Sequence, residues 1–354
     1  MARSPPQPGS IEAILAAKLA EPPAQKLDDS RYLPKSQSYY IFNGSAWQPI
    51  SPPKPPPPTA SISAATVSTI CLITWNIDIL TGGAEPRMAA ALSHLEDLIS
   101  KIPPSQPVII FLQEMGPSDM AQIRAAEWVG PRFFLTDVDE RNWDSPLYGT
   151  TTLVDRRLRI DKVFRVPWIT KFERDGLFVD IELQRTDNAE SSGNIIRLCN
   201  THLESLVADP PVRTLQLASA ARYLHEDTVQ AALLAGDLNA IQPFDRTLHT
   251  ENSLKDAYLE LGGEEDSEDG YTWGHQVPQW MKDKFGCSRM DKVLYHGSIQ
   301  IKSLQRIGVG VKVAEEHKQE MRALGCDEWV TDHYGLMATI EIELPWTLSP
   351  NHSI

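Results

Sequence analysis

The 354-residue sequence predicts an α/β protein built on two packed β-sheets flanked by helices, not on one all-parallel sheet. Three observations carry this. Two apolar strand-like runs, residues 70–76 and 107–112, are separated by a stretch with helical spacing. Five shorter strands then follow between residues 132 and 200 with no helix between them. A further α-β step and three more strands complete the order. A content of 42% hydrophobic and 23% charged residues suits a soluble globular chain with one large domain or two ordinary ones.

Residues 1–66 read as a proline-rich N-terminal extension, partly disordered or packed as an arm. Prolines cluster at its start and over residues 52–58, where they stiffen the chain. Between them, residues 11–19 fit a short helix, and residues 39–50 are apolar enough to cover the main domain. That domain spans 67–345, and a frayed tail, 346–354, follows. Its first strand, 70–76, stops at Asn76. Met88, Leu92, Leu95, Leu98 and Ile99 then recur at helical spacing over 87–101, and Pro103-Pro104 stops the helix. The second strand stops at Gln113-Glu114. Ser118 caps a helix over 118–127. Strands are expected at 132–136, 148–154, 158–166, 177–183 and 195–200, with a hairpin turn at 187–193. A helix over 212–227 leads into the apolar run 231–235, which breaks off in Gly236-Asp237-Leu238-Asn239. A helix near 253–261 and a solvated acidic loop, 264–269, precede strands 292–295, 301–307 and 335–342.

The formal net charge of −14 opposes a general nucleic-acid coat, because non-specific binding is mostly phosphate neutralisation. It favours divalent cations. No apolar run approaches the roughly 20 residues of a membrane span, so no membrane partner is expected. The N-terminus lacks the apolar stretch of a secretory signal. Cys71, Cys199, Cys287 and Cys326 are scattered with no C-x-x-C pair, which fits a reducing interior, nucleus and/or cytoplasm.

Polar residues recur where apolar strands end. Asn76 and Glu114 end the first two strands, His202 follows 198–201, Asp237 and Asn239 end another, and Asp332-His333 precede the last. Five such endings, all carboxylate, amide or imidazole, exceed what turn chemistry requires. The residue types fit metal-assisted phosphodiester hydrolysis. Mg²⁺ takes hard oxygen ligands, and Glu114 supplies one. Asp237 suits the deprotonation of an attacking water. His202, His333 and Asn239 can donate to phosphate oxygens, and Asp291 can fix a histidine tautomer.

Five motifs occur in a fixed order: Thr74-Trp75-Asn76-Ile77-Asp78, Leu112-Gln113-Glu114, Thr201-His202-Leu203-Glu204-Ser205, Gly236-Asp237-Leu238-Asn239 and Thr331-Asp332-His333-Tyr334-Gly335-Leu336. Over residues 68–343 the chain resembles the endonuclease/exonuclease/phosphatase superfamily of Mg²⁺-dependent phosphodiesterases. Within it, the likeness is strongest to the 5′-tyrosyl-DNA phosphodiesterases of the second type. The resemblance implies a four-layered α/β sandwich with two central mixed β-sheets and the site at one edge. It implies Asn76 and Glu114 at Mg²⁺ (Mn²⁺ as a substitute), and Asp237 with Asn239 at the water. It implies His202 and His333 on the phosphate, supported by Asp332 and Asp291. Tyr148 falls near the scissile phosphate, Trp273 at the DNA end, and Ser205, Arg213 and Gln216 at a phosphate-facing region.

The implied substrate is a DNA 5′ end carrying a tyrosyl adduct, hydrolysed by a monomer in the nucleus. Two alternatives stay open: a phosphodiesterase acting on RNA, abasic DNA or a small phosphoester, and a non-catalytic nucleic-acid-binding module. The chain departs from its likeness in three places. Leu238 replaces a threonine, Gly274-His275 follow Trp273 in place of an acidic residue, and residues 1–66 do not resemble the ubiquitin-binding module of some relatives.

Overall fold

The computed structural model describes residues 17, 20–22, 24–50, 67–187, 193–207 and 209–351. The helix expected over 11–19 and the turn over 187–193 lie largely outside them. The described strands, in chain order, are β1 (Lys35–Ser36), β2 (Tyr39–Phe42), β3 (Trp47–Ile50), β4 (Thr69–Asn76), β5 (Val108–Met115) and β6 (Phe133–Leu135). They continue with β7 (Gly149–Asp155), β8 (Ile160–Pro167), β9 (Asp175–Arg185), β10 (Ile195–His202) and β11 (Val229–Asp237). The last are β12 (Lys255–Asp256), β13 (Asp291–Gly297), β14 (Ile299–Ile307), β15 (Gly335–Ile342) and β16 (Trp346–Leu348). One sheet runs β14-β15-β4-β5-β7-β6-β2-β3. The other runs β1-β8-β9-β10-β11-β13-β12, with β16 against β9.

Strand periodicity builds the layers. Ile70 and Leu72 of β4 face the other sheet, as do Ala231, Leu233 and Ala235 of β11, and together they fill the inter-sheet core. The alternate residues face outward. Cys71 and Ile73 pack with Met88, Leu92 and Leu95 of helix Ala84–Ser100. Ala232 and Leu234 pack with Leu217 and Leu224 of helix Arg213–Leu224. The result is helix, sheet, sheet, helix: the four-layered α/β sandwich with two mixed sheets.

Each sheet contains one parallel pair joined through a helix, β4 with β5 and β10 with β11. Parallel strands end on the same side, so Asn76, Glu114, His202 and Asp237 all emerge at one edge. β13 runs antiparallel to β11, and its first residue, Asp291, pairs with Asp237. That edge is the candidate site.

Three expectations need correction. The helix near 253–261 is instead two single turns, Leu248–Glu251 and Ala257–Glu260, around β12. Lys255 and Asp256 pair with Tyr295 and Leu294 there, so sheet pairing overrides local helix preference. The tail is not frayed at its start: β16 pairs with β9 and buries Trp346 and Leu348. It, and not residues 335–342, is the last described strand. The acidic loop is not simply solvated, because Glu265 ion-pairs with Arg289 and Lys292. Residues 35–50 supply β1 to β3, and Tyr39 and Tyr40 are buried against the domain. No helix among the described residues is long and apolar enough to cross a membrane.

Candidate active site

Gly236 lets β11 deliver Asp237. Its φ is 145°, and a Cβ there would stand 1.8 Å from the Thr201 carbonyl oxygen on β10. Beyond it, Asn239 takes a left-handed φ of 47°, which asparagine tolerates, and its N–H donates to Asp237 Oδ1 at 2.8 Å. Leu238, between them, is buried in the outer core. The turn thus points Asp237 and Asn239 into the site and Leu238 away from it.

Three groups meet Asp237 Oδ2. Asn76 Nδ2 donates to it at 3.0 Å, His202 Nε2 lies at 3.2 Å, and His333 Nε2 at 3.6 Å. Burial opposes charge on Asp237, yet the two histidines hold it well below the usual carboxylate range.

The histidines differ in state. Arg174 Nη1 donates to His202 Nδ1 at 2.8 Å. Arginine can only donate, so Nδ1 accepts and Nε2 carries the proton toward Asp237. Glu114 Oε1 is 3.7 Å from the same Nδ1, but an unprotonated nitrogen makes no ion pair with it. Burial first, and Arg174 next, lower His202 to about 4, so it is neutral at pH 7. His333 Nδ1 lies 2.8 Å from Asp291 Oδ2. Burial disfavours its charge, but Asp291, Asp237 and Asp332 hold it well above the ordinary value, as imidazolium. The site therefore sets an ionised carboxylate between one neutral and one charged histidine.

Glu114 stands on the other side of His202. Its backbone is left-handed, with φ 54°, and Oε2 accepts from Ile79 N at 3.2 Å. Burial, with Asp78 and Asp332 nearby, raises it to about 7, against a lowering by Arg174. Asp332 rises to about 6, through burial and Asp78. Half-buried carboxyls pushed up by desolvation and by one another fit a hard divalent cation, which would neutralise them. Asp237, Asp291 and His333 also bring their ligand atoms within 4.8 Å of one another. A cation among them would need His333 to give up its proton, which the flanking carboxylates retain. Glu114 is the better cation anchor. Asn76 Oδ1 accepts from Asp78 N at 2.9 Å, so Asn76 ties Asp237 to the acidic side of the site.

The other expected residues divide. Ser205 accepts from Arg174 Nη2 at 2.8 Å and lies 3.5 Å from Asn239 Nδ2, which also donates to the Leu203 carbonyl at 3.1 Å. Tyr148 donates to the Phe172 carbonyl at 2.5 Å, with the Arg174 guanidinium 5.0 Å from its ring centroid. Three expectations fail. Arg213 is 1% exposed and uses every donor internally, on Asp245, Gln242 and the Glu204 and Leu206 carbonyls. It braces the loop after β10, having no donor left for a phosphate. Gln216 is likewise buried, bonded to Glu204 N and the Ile169 carbonyl. Trp273 is 7% exposed, and its indole N–H donates to Asp332 Oδ2 at 2.8 Å. It positions Asp332, and its ring is not open to a stacking base.

Arg174 escaped the sequence reading. It sits in the polar run Lys171-Phe172-Glu173-Arg174-Asp175, and no local pattern marks it. Its partners, His202, Ser205, Tyr148 and Glu114, lie 26 to 60 residues away. Asp78 was within a motif but had no role. It accepts from Leu80 N and Thr81 N and shapes the loop beside Glu114.

Comparison with known proteins bears on the family and the fold. The Endonuclease/Exonuclease/phosphatase family pattern matches residues 73–333. Tyrosyl-DNA phosphodiesterase 2 of Rattus norvegicus is 27% identical over 285 residues, covering 78% of this chain and 68% of that protein. The Mus musculus protein of the same name is 26% identical over 292 residues, covering 78% and 67%. Among solved structures, D. rerio TDP2 complexed with single strand DNA product superposes with a TM-score of 0.57 at 18% identity, over 77% of this chain and 99% of that one. Truncated Caenorhabditis elegans TDP2 gives 0.55 at 20% identity, over 77% and 97%.

Proposed function

The chain belongs to the endonuclease/exonuclease/phosphatase family, and from that premise we propose that it is a Mg²⁺-dependent phosphodiesterase that frees DNA 5′ ends from a covalently attached tyrosine. One observation carries the hydrolytic reading: an ionised, buried Asp237 held between neutral His202 and charged His333, beside an acidic pocket at Glu114. The tyrosyl-DNA substrate rests on the relatives' names and on the placement of Tyr148 and Arg174 beside His202.

In this reading Asp237 accepts the proton of the attacking water, and Asn76 and the Asn239 N–H fix its two oxygens. The His333 imidazolium donates to phosphate oxygens as charge builds on them, while the single proton of neutral His202, on Nε2, goes to Asp237 as a hydrogen bond and orients it. Asp291 keeps His333 protonated and oriented. Arg174 fixes the His202 tautomer and presents positive charge beside Tyr148. Glu114, with Asp78 and Asp332 close by, would hold the cation, which neutralises phosphate charge and stabilises the leaving oxygen. The leaving group is a tyrosine phenolate, and the product is a 5′-phosphate.

A 5′-phosphotyrosyl oligonucleotide tests this directly. Tyrosine release is expected with Mg²⁺ and not with EDTA. Asp237→Asn should retain the unfolding midpoint and lower turnover by roughly 10²–10⁴-fold. No Mg²⁺-dependent release by folded protein would refute the substrate. Activity on poly(A), abasic DNA or inositol phosphates instead would leave the hydrolytic reading and replace the substrate.

A further inference from the structure

Arg87, in the first turn of helix Ala84–Ser100, is 2% exposed. A buried guanidinium ordinarily bonds a carboxylate. Arg87 does not: its one ion-pair partner among the described residues, Asp78 Oδ2, stands 3.8 Å from Nη2. Its donors go to main-chain carbonyls instead. Nη1 donates to Thr81 and Nη2 to Ile77 and Asp78, all in the loop that follows β4. Nε donates at 2.8 Å to Val330, in the segment that leads into β15. One side chain therefore ties two loops that are far apart in sequence.

Each loop serves one side of the site. The Ile79 N–H donates to Glu114 Oε2 at 3.2 Å, so the first loop holds the carboxyl proposed to anchor the cation. From Val330 the chain passes directly into Thr331, Asp332 and His333. Thr331 Oγ1 donates to the Asn76 carbonyl at 2.8 Å and accepts from the His333 N–H at 3.1 Å. Bonds thus run from Glu114 through Ile79 and its loop to Arg87, and on through Val330 to His333. A guanidinium suits this place because its planar fork sends donors in several fixed directions. A lysine ammonium sends three from one point and cannot serve both loops. We propose that Arg87 is a positioning residue for the reaction, holding the cation anchor Glu114 and the phosphate-binding His333 at a fixed separation so that cation and phosphate meet in register. This rests on the roles given to Glu114 and His333 in the proposed function.

Arg87→Lys keeps the charge and loses the fork, so it separates geometry from electrostatics. Mn²⁺ titrated into the full chain by calorimetry should bind about tenfold more weakly to this variant than to the unaltered protein. That comparison needs no substrate, so it is decided independently of which phosphodiester the protein cleaves. With saturating Mg²⁺ and a 5′-phosphotyrosyl oligonucleotide, kcat should fall by roughly 10–10²-fold. KM should stay as it is, because Tyr148, Arg174 and Ser205 are held by Phe172, His202 and Asn239 and not by either loop. An arginine that serves the fold alone would give a lower unfolding midpoint, with Mn²⁺ affinity and kcat per folded molecule unchanged, and that result would overturn the proposal. An unaltered protein that binds no Mn²⁺ would overturn both the proposal and the cation role of Glu114. If Arg87→Lys fails to fold, hydrogen exchange on the unaltered protein decides. Mg²⁺ should slow exchange of the Ile79 and His333 amides together, and slowing at Ile79 alone would break the link.

Discussion

His202 shows how one neighbour sets the chemistry of a side chain. Arg174 donates to its Nδ1, and that bond leaves the proton on Nε2, facing Asp237. Burial does most to hold His202 near 4, and replacing Arg174 with glutamine removes the positive charge that adds to it. The His202 titration, followed by NMR, should move up toward its ordinary value of about 6.5, and turnover should fall by roughly 10–10²-fold. An unmoved titration would deny Arg174 this role. A second prediction concerns the cation. Glu114 is raised to about 7, so in the metal-free protein its carboxyl takes up a proton as pH falls through 7. A cation bound there must displace that proton. Apparent Mg²⁺ or Mn²⁺ affinity should weaken as pH falls from 7 to 5, by up to about tenfold per unit for one displaced proton. Proton release on titration near pH 6.5, measured by calorimetry in buffers of different ionisation enthalpy, checks it. At this scale the sequence was legible where a polar residue cut short an apolar run, as at Asn76, Glu114, His202 and Asp237. It was silent on Arg174, whose partners are distant. It misled on Trp273 and Arg213, because a motif neighbour says nothing about which way a ring or guanidinium turns.

At the scale of elements, the site depends on how closely β10 and β11 approach. Thr201 pairs with Gly236, and no side chain fits between them. Gly236→Ala should lower stability by roughly 2–4 kcal/mol, since the added Cβ meets backbone and φ is unsuited to alanine. Urea unfolding would register this as a lower midpoint, and turnover should fall with it because Asp237 is the next residue. A wild-type midpoint would mean that the strands can separate without loss. Long periodic elements were readable: helix Ala84–Ser100 and strands β4, β5 and β11 follow their apolar spacing. Short elements were not. Lys255 and Asp256 carry no strand pattern and become β12 only because β13 lies alongside. Helices Gln279–Phe285 and Lys318–Ala323 are two turns or fewer, too short for a period to show.

For the whole molecule, the sandwich closes only when segments far apart in sequence meet. β1 to β3 come from the N-terminal extension and β16 from the C-terminal tail, and both were read by composition rather than by pairing. β16 has just three residues, yet it lies on β9, in the sheet that holds β10 and β11, and Leu348 N also donates to the Val67 carbonyl ahead of β4. It therefore links the two sheets at the end of the sandwich. Trp346 and Leu348 join the inter-sheet core beside Leu183 and Ile342. Losing them would expose that core and leave β9 with an open edge over its last residues. Removing residues 346–354 should accordingly destabilise the domain by about 3–5 kcal/mol, the range for deleting a buried tryptophan, and Trp346→Ala alone should account for most of that loss. The effect belongs to the fold and not to the chemistry, because the site lies at the ends of β4, β5, β10 and β11. Below its lowered unfolding temperature the truncated protein should keep the turnover of the full chain. A fall in turnover without a fall in unfolding temperature would instead tie this short strand to the site.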